Sequence, residues 1–216
     1  TLFPYTTLFR SEALARWRTK TGEMIMPGRF VPPLENIGYV VDLDFYIYEQ
    51  LLRAMKRWKK AGKELFTIST NFSRRNFESG GKNFAGRLKR MADHYGIDPK
   101  YIEVEVTESV VVENVDELKR VLSELEKFGF RIAIDDFGTG YSSLGVLLEI
   151  PADVVKIDKS FTDRINLKEQ RNFVSQMGNF IHSAKEEVIF EGIETEEQLQ
   201  FLRGCGFLYG QGYLFD

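Results

Sequence analysis

Ile132-Ala133-Ile134-Asp135-Asp136-Phe137-Gly138-Thr139-Gly140-Tyr141-Ser142-Ser143-Leu144 is a short apolar run that stops at two adjacent carboxylates and a glycine-rich turn. Adjacent acids repel each other unless a cation lies between them, so the stretch reads as a β-strand that ends in a metal site. Other short β-branched or aromatic runs, at 66–70, 102–106, 154–157, 188–190 and 207–209, end in the same manner. Their ends, with that of the strand expected before Glu12, carry Glu12, Asn71, Glu105 with Glu108, Asp135 with Asp136, Lys156 with Asp158, Glu191 with Glu194, and Gln211.

Segments of helical period separate these runs. Leu51, Leu52, Met55 and Trp58 share one face, as do Phe84, Leu88, Met91 and Tyr95, and Leu118, Val121, Leu125 and Phe128. Phe173, Met177, Phe180, Ile181 and Ala184 mark a later helix. Asn114 with Glu117 and Thr195 with Gln198 are spaced as reciprocal capping pairs, and Gly129 and Gly204 stand where helices should stop. Alternation of this kind predicts a parallel α/β sheet, and the number of units predicts a TIM-like (β/α)8 barrel whose strand ends gather at one mouth. The strand leading into Glu12 makes seven; an eighth is expected upstream, so the barrel is read as incomplete.

With 216 residues, 43% of them hydrophobic, the chain is long enough to bury one core. Residues 1–11 read as the translation of a sequencing adapter, which sets the expected natural domain at 12–216. A net charge of −3 argues against binding a nucleic acid polymer through bulk electrostatics. The basic run Lys56-Arg57-Trp58-Lys59-Lys60 falls on the polar side of an amphipathic helix. No apolar run is long enough to insert in a membrane, and the single cysteine, Cys205, fits a reducing compartment.

The strand-end set is rich in oxygen and free of histidine, because His94 and His182 both fall in helical segments. Such donors suit Mg²⁺ or Mn²⁺ and make a poor zinc or copper site. Two such cations about 3.5–4 Å apart, bridged by a carboxylate, form the usual clamp for displacement at phosphorus. Asp135 is the natural bridge.

In chain order, Glu12-Ala13-Leu14-Ala15-Arg16-Trp17, Phe30-Val31-Pro32-Pro33-Leu34-Glu35-Asn36-Ile37-Gly38, Asn71-Phe72-Ser73, Glu105-Val106-Thr107-Glu108-Ser109, the Asp135 segment, Lys156-Ile157-Asp158, Glu191-Gly192-Ile193-Glu194-Thr195 and Gln211-Gly212-Tyr213 resemble the motifs of the EAL domain family of cyclic di-GMP phosphodiesterases. The resemblance runs from residue 12 to residue 216. It implies a first cation held by Glu12, Asn71, Glu105 and Asp135, and a second held by Asp135, Asp136 and Glu191. It also implies that Lys156 orients or helps deprotonate the attacking water, with Asp158 as a supporting acid and Glu108 anchoring the loop after Asp135. Arg16, Leu14, Glu194 and Gln211 would meet the substrate, Arg16 through a phosphate.

The implied reaction is metal-dependent hydrolysis of cyclic di-GMP to linear pGpG in bacterial second-messenger signalling. The alternative is a cyclic di-GMP receptor without turnover, or an inactive fragment; every acid assigned to metal is present, which favours the enzyme. The resemblance further implies a homodimer, attachment to sensory or diguanylate-cyclase-like domains, and a cytoplasmic location, with any membrane anchor on those other domains. Three departures stand out: the family's first strand, with a glutamine near the substrate, is expected to be missing; residues 183–188 are one residue short of the family pattern, with Phe190 in place of a small residue; and the chain stops at Asp216, before the family's usual closing segment.

Overall fold

The computed structural model describes residues 10–77, 83–108, 115–139, 147, 149–184 and 187–215. Seven strands form one parallel sheet: β1 (Arg10–Glu12), β4 (Thr67–Asn71), β5 (Ile102–Thr107), β6 (Arg131–Phe137), β7 (Val154–Ile157), β8 (Glu187–Phe190) and β9 (Tyr209–Gly210), hydrogen-bonded in that order. A small antiparallel pair, β2 (Trp17–Arg18) and β3 (Met24–Ile25), stands apart. Strands that pair in chain order, with helices between them, curl one way, as in a TIM-like barrel. The curl brings the two edge strands together at the mouth, where Gln211, just past β9, donates to Glu12 of β1 at 3.4 Å.

The helices α1 (Pro27–Asn36), α2 (Val40–Lys60), α3 (Phe84–Tyr95), α4 (Val115–Lys127), α5 (Lys159–Arg164), α6 (Arg171–Ala184) and α7 (Glu196–Gly204) fill the connections. Leu51, Leu52 and Met55 of α2, Leu88 of α3, and Leu118, Val121 and Leu125 of α4 are buried, as their period predicts. Every residue of β7 is buried, consistent with a sheet covered on its outer face and filled within.

Three expectations shift. The last strand begins at Tyr209, and Phe207 joins the core just before it. α7 runs through Gly204, so the left-handed stop falls at Gly206, with φ 90°. The strand expected to lead into Glu12 is β1, whose Arg10 and Ser11 pair with Thr67 and Ile68. On α6 the buried stripe is Val174, Gly178 and Ile181, whereas Phe173 and Phe180 face solvent. Phe190 and Phe207, with ring centroids 4.8 Å apart, pack against the bare backbone of Gly178, and this contact sets the helix rotation. Thr195 and Gln198 form the expected capping box, and Gly129 has the expected positive φ of 87°. Asn114 lies outside the described residues.

Candidate metal centre

Successive residues of a regular strand point to opposite faces, so Asp135 and Asp136 could not both enter the mouth from an undistorted β6. The register with β7 shifts between Ile134 and Phe137, and Asp136 adopts φ 53°. This left-handed conformation is uncommon outside glycine and is tolerated better by Asp than by most residues. The bulge re-aims the second acid, as bulges at barrel rims commonly do. As a result, ligand oxygens of Asp135, Asp136 and Glu191 lie within 4.8 Å of one another.

Lys156 projects from β7 into this cluster and is 3% exposed. Its Nζ lies 2.9 Å from Glu105 Oε1, 3.0 Å from Glu191 Oε1, 3.2 Å from Asp135 Oδ1 and 3.9 Å from Glu12 Oε2. Burial by itself would lower the lysine pKa, but Glu105, Asp135, Glu191 and Glu12 outweigh it and hold the ammonium above the ordinary lysine range. Burial pushes Glu105 up to about 8, Lys156 pulling it down and Asp135 and Glu12 adding to the rise. Glu191 reaches about 7 for the same first reason. Asp136 is raised by burial, then by Asp135 and Asp158.

Glu12, Glu105, Asp135, Asp136 and Glu191 put five carboxylates around one ammonium. When all are ionised, four negative charges remain, the charge of two divalent cations. Both Glu105 oxygens and Asp135 Oδ1 are buried without a hydrogen bond. Glu105 Oε1 and Asp135 Oδ1 are met only by the Lys156 ammonium, at 2.9 and 3.2 Å, and Glu105 Oε2 accepts no hydrogen bond; buried carboxylate oxygens are costly unless cations meet them, and the donor set fits a hard divalent ion. Lys156 stands in for part of that charge.

Around this centre, Glu12 joins the sheet edges, its Oε1 accepting from Asn71 Nδ2 at 2.6 Å and its Oε2 from Gln211. Glu108 Oε2 accepts from Gly138 N–H at 2.7 Å. Gly138 has φ 100°, and the Phe161 ring occupies the place of a Cβ. Residues 140–146 of that loop lie outside the described residues. Asp158 caps α5 by accepting from Ser160 N–H at 2.9 Å, close enough to Asp136 to raise its pKa. Glu194 pairs with Lys159 at 2.8 Å at the surface instead of joining the cluster. Arg16 is exposed, its Nη1 donating to Ala15 O at 2.8 Å, and Leu14 is half exposed beside it on the rim.

A cavity of about 630 Å³ adjoins the mouth, walled by Leu14, Pro27, Glu35, Asp44, Asn71 and Ser73 among others. Sequence reasoning passed over Asp44, which is 7% exposed. Its signal was there: Asp44 falls four residues after Val40 and four before Tyr48, on the apolar stripe of α2, where an acid needs a reason.

A family model described as EAL domain matches residues 6–216. The chain is 37% identical over 212 residues to the signaling protein YkoW of Bacillus subtilis, covering 95% of this chain and 26% of that protein. It is 33% identical over 209 residues to the cyclic di-GMP phosphodiesterase NbdA of Pseudomonas aeruginosa, again covering 95% and 26%. Thus the chain spans about a quarter of the length of these curated relatives. Among solved structures, the PaMucR phosphodiesterase in complex with c-di-GMP superposes with a TM-score of 0.82 at 30% identity, over 94% of this chain and 82% of that one.

Proposed function

The chain belongs to the EAL domain family, and from that premise we propose that it is a cyclic di-GMP phosphodiesterase that hydrolyses its substrate to linear pGpG with two Mg²⁺ or Mn²⁺ ions. The observation that supports this reading best is the convergence of Asp135, Asp136 and Glu191 beside buried oxygens of Glu105 and Asp135 that have no hydrogen bond. Glu12, Asn71, Glu105 and Asp135 would hold one ion, and Asp135, Asp136 and Glu191 the other. When bound, the pair would supply Lewis-acid chemistry: a reactive water near neutral pH and charge relief on the departing oxygen.

The water oxygen attacks phosphorus, the P–O3′ bond breaks, and the water proton ends on the 3′ oxygen, so the product keeps a 5′ phosphate and gains a 3′ hydroxyl. Lys156 works as a donor that orients the water and the phosphoryl oxygens, since its surroundings hold it protonated. Arg16, exposed on the rim, holds a substrate phosphate through its guanidinium fork. Leu14 and Gln211 border the bound dinucleotide, and Glu194 reaches it from the Lys159 pair. Asp158 supports Asp136 from the α5 cap, and Glu108 holds the loop after Asp135. Pairing as a homodimer and attachment to sensory or diguanylate-cyclase-like domains complete the reading, with a cytoplasmic location. No helix among the described residues is long and apolar enough to cross a membrane.

The test is incubation of the purified protein with cyclic di-GMP, with and without Mg²⁺ or Mn²⁺, followed by chromatography of the products. Metal-dependent linear pGpG is expected. Tight binding with no product would make the chain a receptor.

A further inference from the structure

α2 carries Asp44 among Val40, Tyr48, Leu51, Leu52 and Met55 on the face turned to the core. Burying a carboxylate there costs free energy that an apolar residue would not. Both of its hydrogen bonds end on one oxygen: Oδ2 accepts from Ser73 N–H at 2.9 Å and from Asn76 Nδ2 at 2.7 Å. Asn76 Nδ2 also donates to Ser73 O at 3.0 Å, and the Ser73 hydroxyl donates to Glu35 Oε1 of α1 at 2.8 Å. Two helices therefore grip one residue, Ser73, from its backbone and from its side chain.

Ser73 sits two residues after Asn71, at the end of β4. Between them Phe72 donates its N–H to Glu105 O at 3.3 Å and buries its ring against Phe45, Tyr48 and Phe84. Asn71 in turn donates to Glu12 at 2.6 Å. The backbone that leaves the barrel at Asn71 is thus fixed within two residues by groups from outside the sheet. The Asp44 carboxylate bonds to groups outside its own helix.

We propose that Asp44 and Glu35 are positioning residues, clamping Ser73 so that Asn71 is presented beside Glu12 in the geometry the first cation needs. This rests on the metal-centre reading given above. Partners that orient metal ligands are typically worth about 10–100-fold in metal affinity. Loss of the clamp leaves Asn71 attached to the sheet but free to turn.

Because one oxygen takes both bonds, Asp44→Asn keeps the acceptor and Asp44→Ala removes it. Mn²⁺ binding to the wild type, Asp44→Ala and Asp44→Asn is measured by electron paramagnetic resonance of free Mn²⁺, well below the melting temperature. Asp44→Ala should bind Mn²⁺ about 10–100-fold more weakly, and Asp44→Asn should bind close to wild type. At saturating Mn²⁺, Asp44→Ala should recover most of its kcat with KM for cyclic di-GMP little changed. If Asp44→Ala does not fold, Glu35→Ala removes one bond of the same clamp from a half-buried site and should weaken Mn²⁺ binding by a smaller factor. Wild-type Mn²⁺ affinity in a folded Asp44→Ala, or in Glu35→Ala when that variant stands in, would overturn the inference and leave the metal centre standing. A wild type that binds no Mn²⁺ would overturn the metal centre itself.

Discussion

Asp135 carries the most at the scale of single residues, because it faces Lys156 at 3.2 Å and its Oδ1 has no hydrogen bond. Asp135→Asn keeps the shape and removes one of several like charges, so the metal-free Tm should hold or rise while turnover falls by more than about 100-fold, beyond the loss from partners of ligands. Parallel melting curves and product assays check both signs; near wild-type turnover in Mg²⁺ would end the two-cation assignment. Asp44 makes a pH prediction. Burial raises its pKa from 3.8 to about 6, against hydrogen bonds from Ser73 and Asn76 that lower it and with Glu35 adding to the rise. The folded protein then binds more protons than the unfolded chain between those values, so the stability linked to Asp44 is full below the lower value and is lost as pH rises through about 6. The difference is on the order of 3 kcal/mol at most. Glu105 and Glu191 titrate in the same direction at higher pH. The comparison that isolates Asp44 is therefore the pH dependence of Tm in wild type against Asp44→Asn, which should decline less steeply between about pH 4 and 6 while the part owed to Glu105 and Glu191, which starts from their ordinary 4.5, remains.

Among the elements, α6 shows how one missing side chain sets a rotation. In an open helix Gly→Ala is worth about 1 kcal/mol of stabilisation. At Gly178 an added Cβ would lie 2.5 Å from Phe207 Cζ and 2.9 Å from Phe190 Cζ. Gly178→Ala should therefore destabilise the protein by about 1–3 kcal/mol, the usual cost of overpacking. A smaller side chain at position 190, as in Phe190→Val, should relieve part of that loss. Urea unfolding of the two single variants and the double variant reads the coupling; additive effects would show that the ring and the helix do not meet as described. β6 is the other element that departs from regularity, and there the distortion serves the site.

Over the whole molecule, the mouth is held by strands from the centre and from both edges of the sheet. β1 has three residues and pairs only with β4 among the described strands, yet it supplies Glu12. A cation shared by Glu12, Asn71, Glu105 and Asp135 would tie that edge to the centre. At 100 times its Kd such an ion adds about 2.7 kcal/mol, a rise of roughly 5–10 °C in Tm for a domain of this size. Mn²⁺ or Mg²⁺ should produce this shift, and Glu12→Gln should reduce it. An equal shift in that variant would mean that the ion binds elsewhere.

Strand ends, helix periods and the order of the acids were legible along the chain, because a strand's termination and a helix's period are local properties. From them the parallel fold, the mouth and its oxygen donors follow. Tertiary structure alone decided that Asp135 and Asp136 face the same way, since this needs the bulge against β7 and φ 53° at Asp136. It also chose Val174 over Phe173 for the buried side of α6, a choice between two apolar faces that depends on Phe190 and Phe207 across the interface. The same holds for Asp44, whose acid among apolar neighbours was visible but whose partners lie some thirty residues further on. Burial and hydrogen bonding are sums over neighbours distant in sequence, and no local pattern contains them.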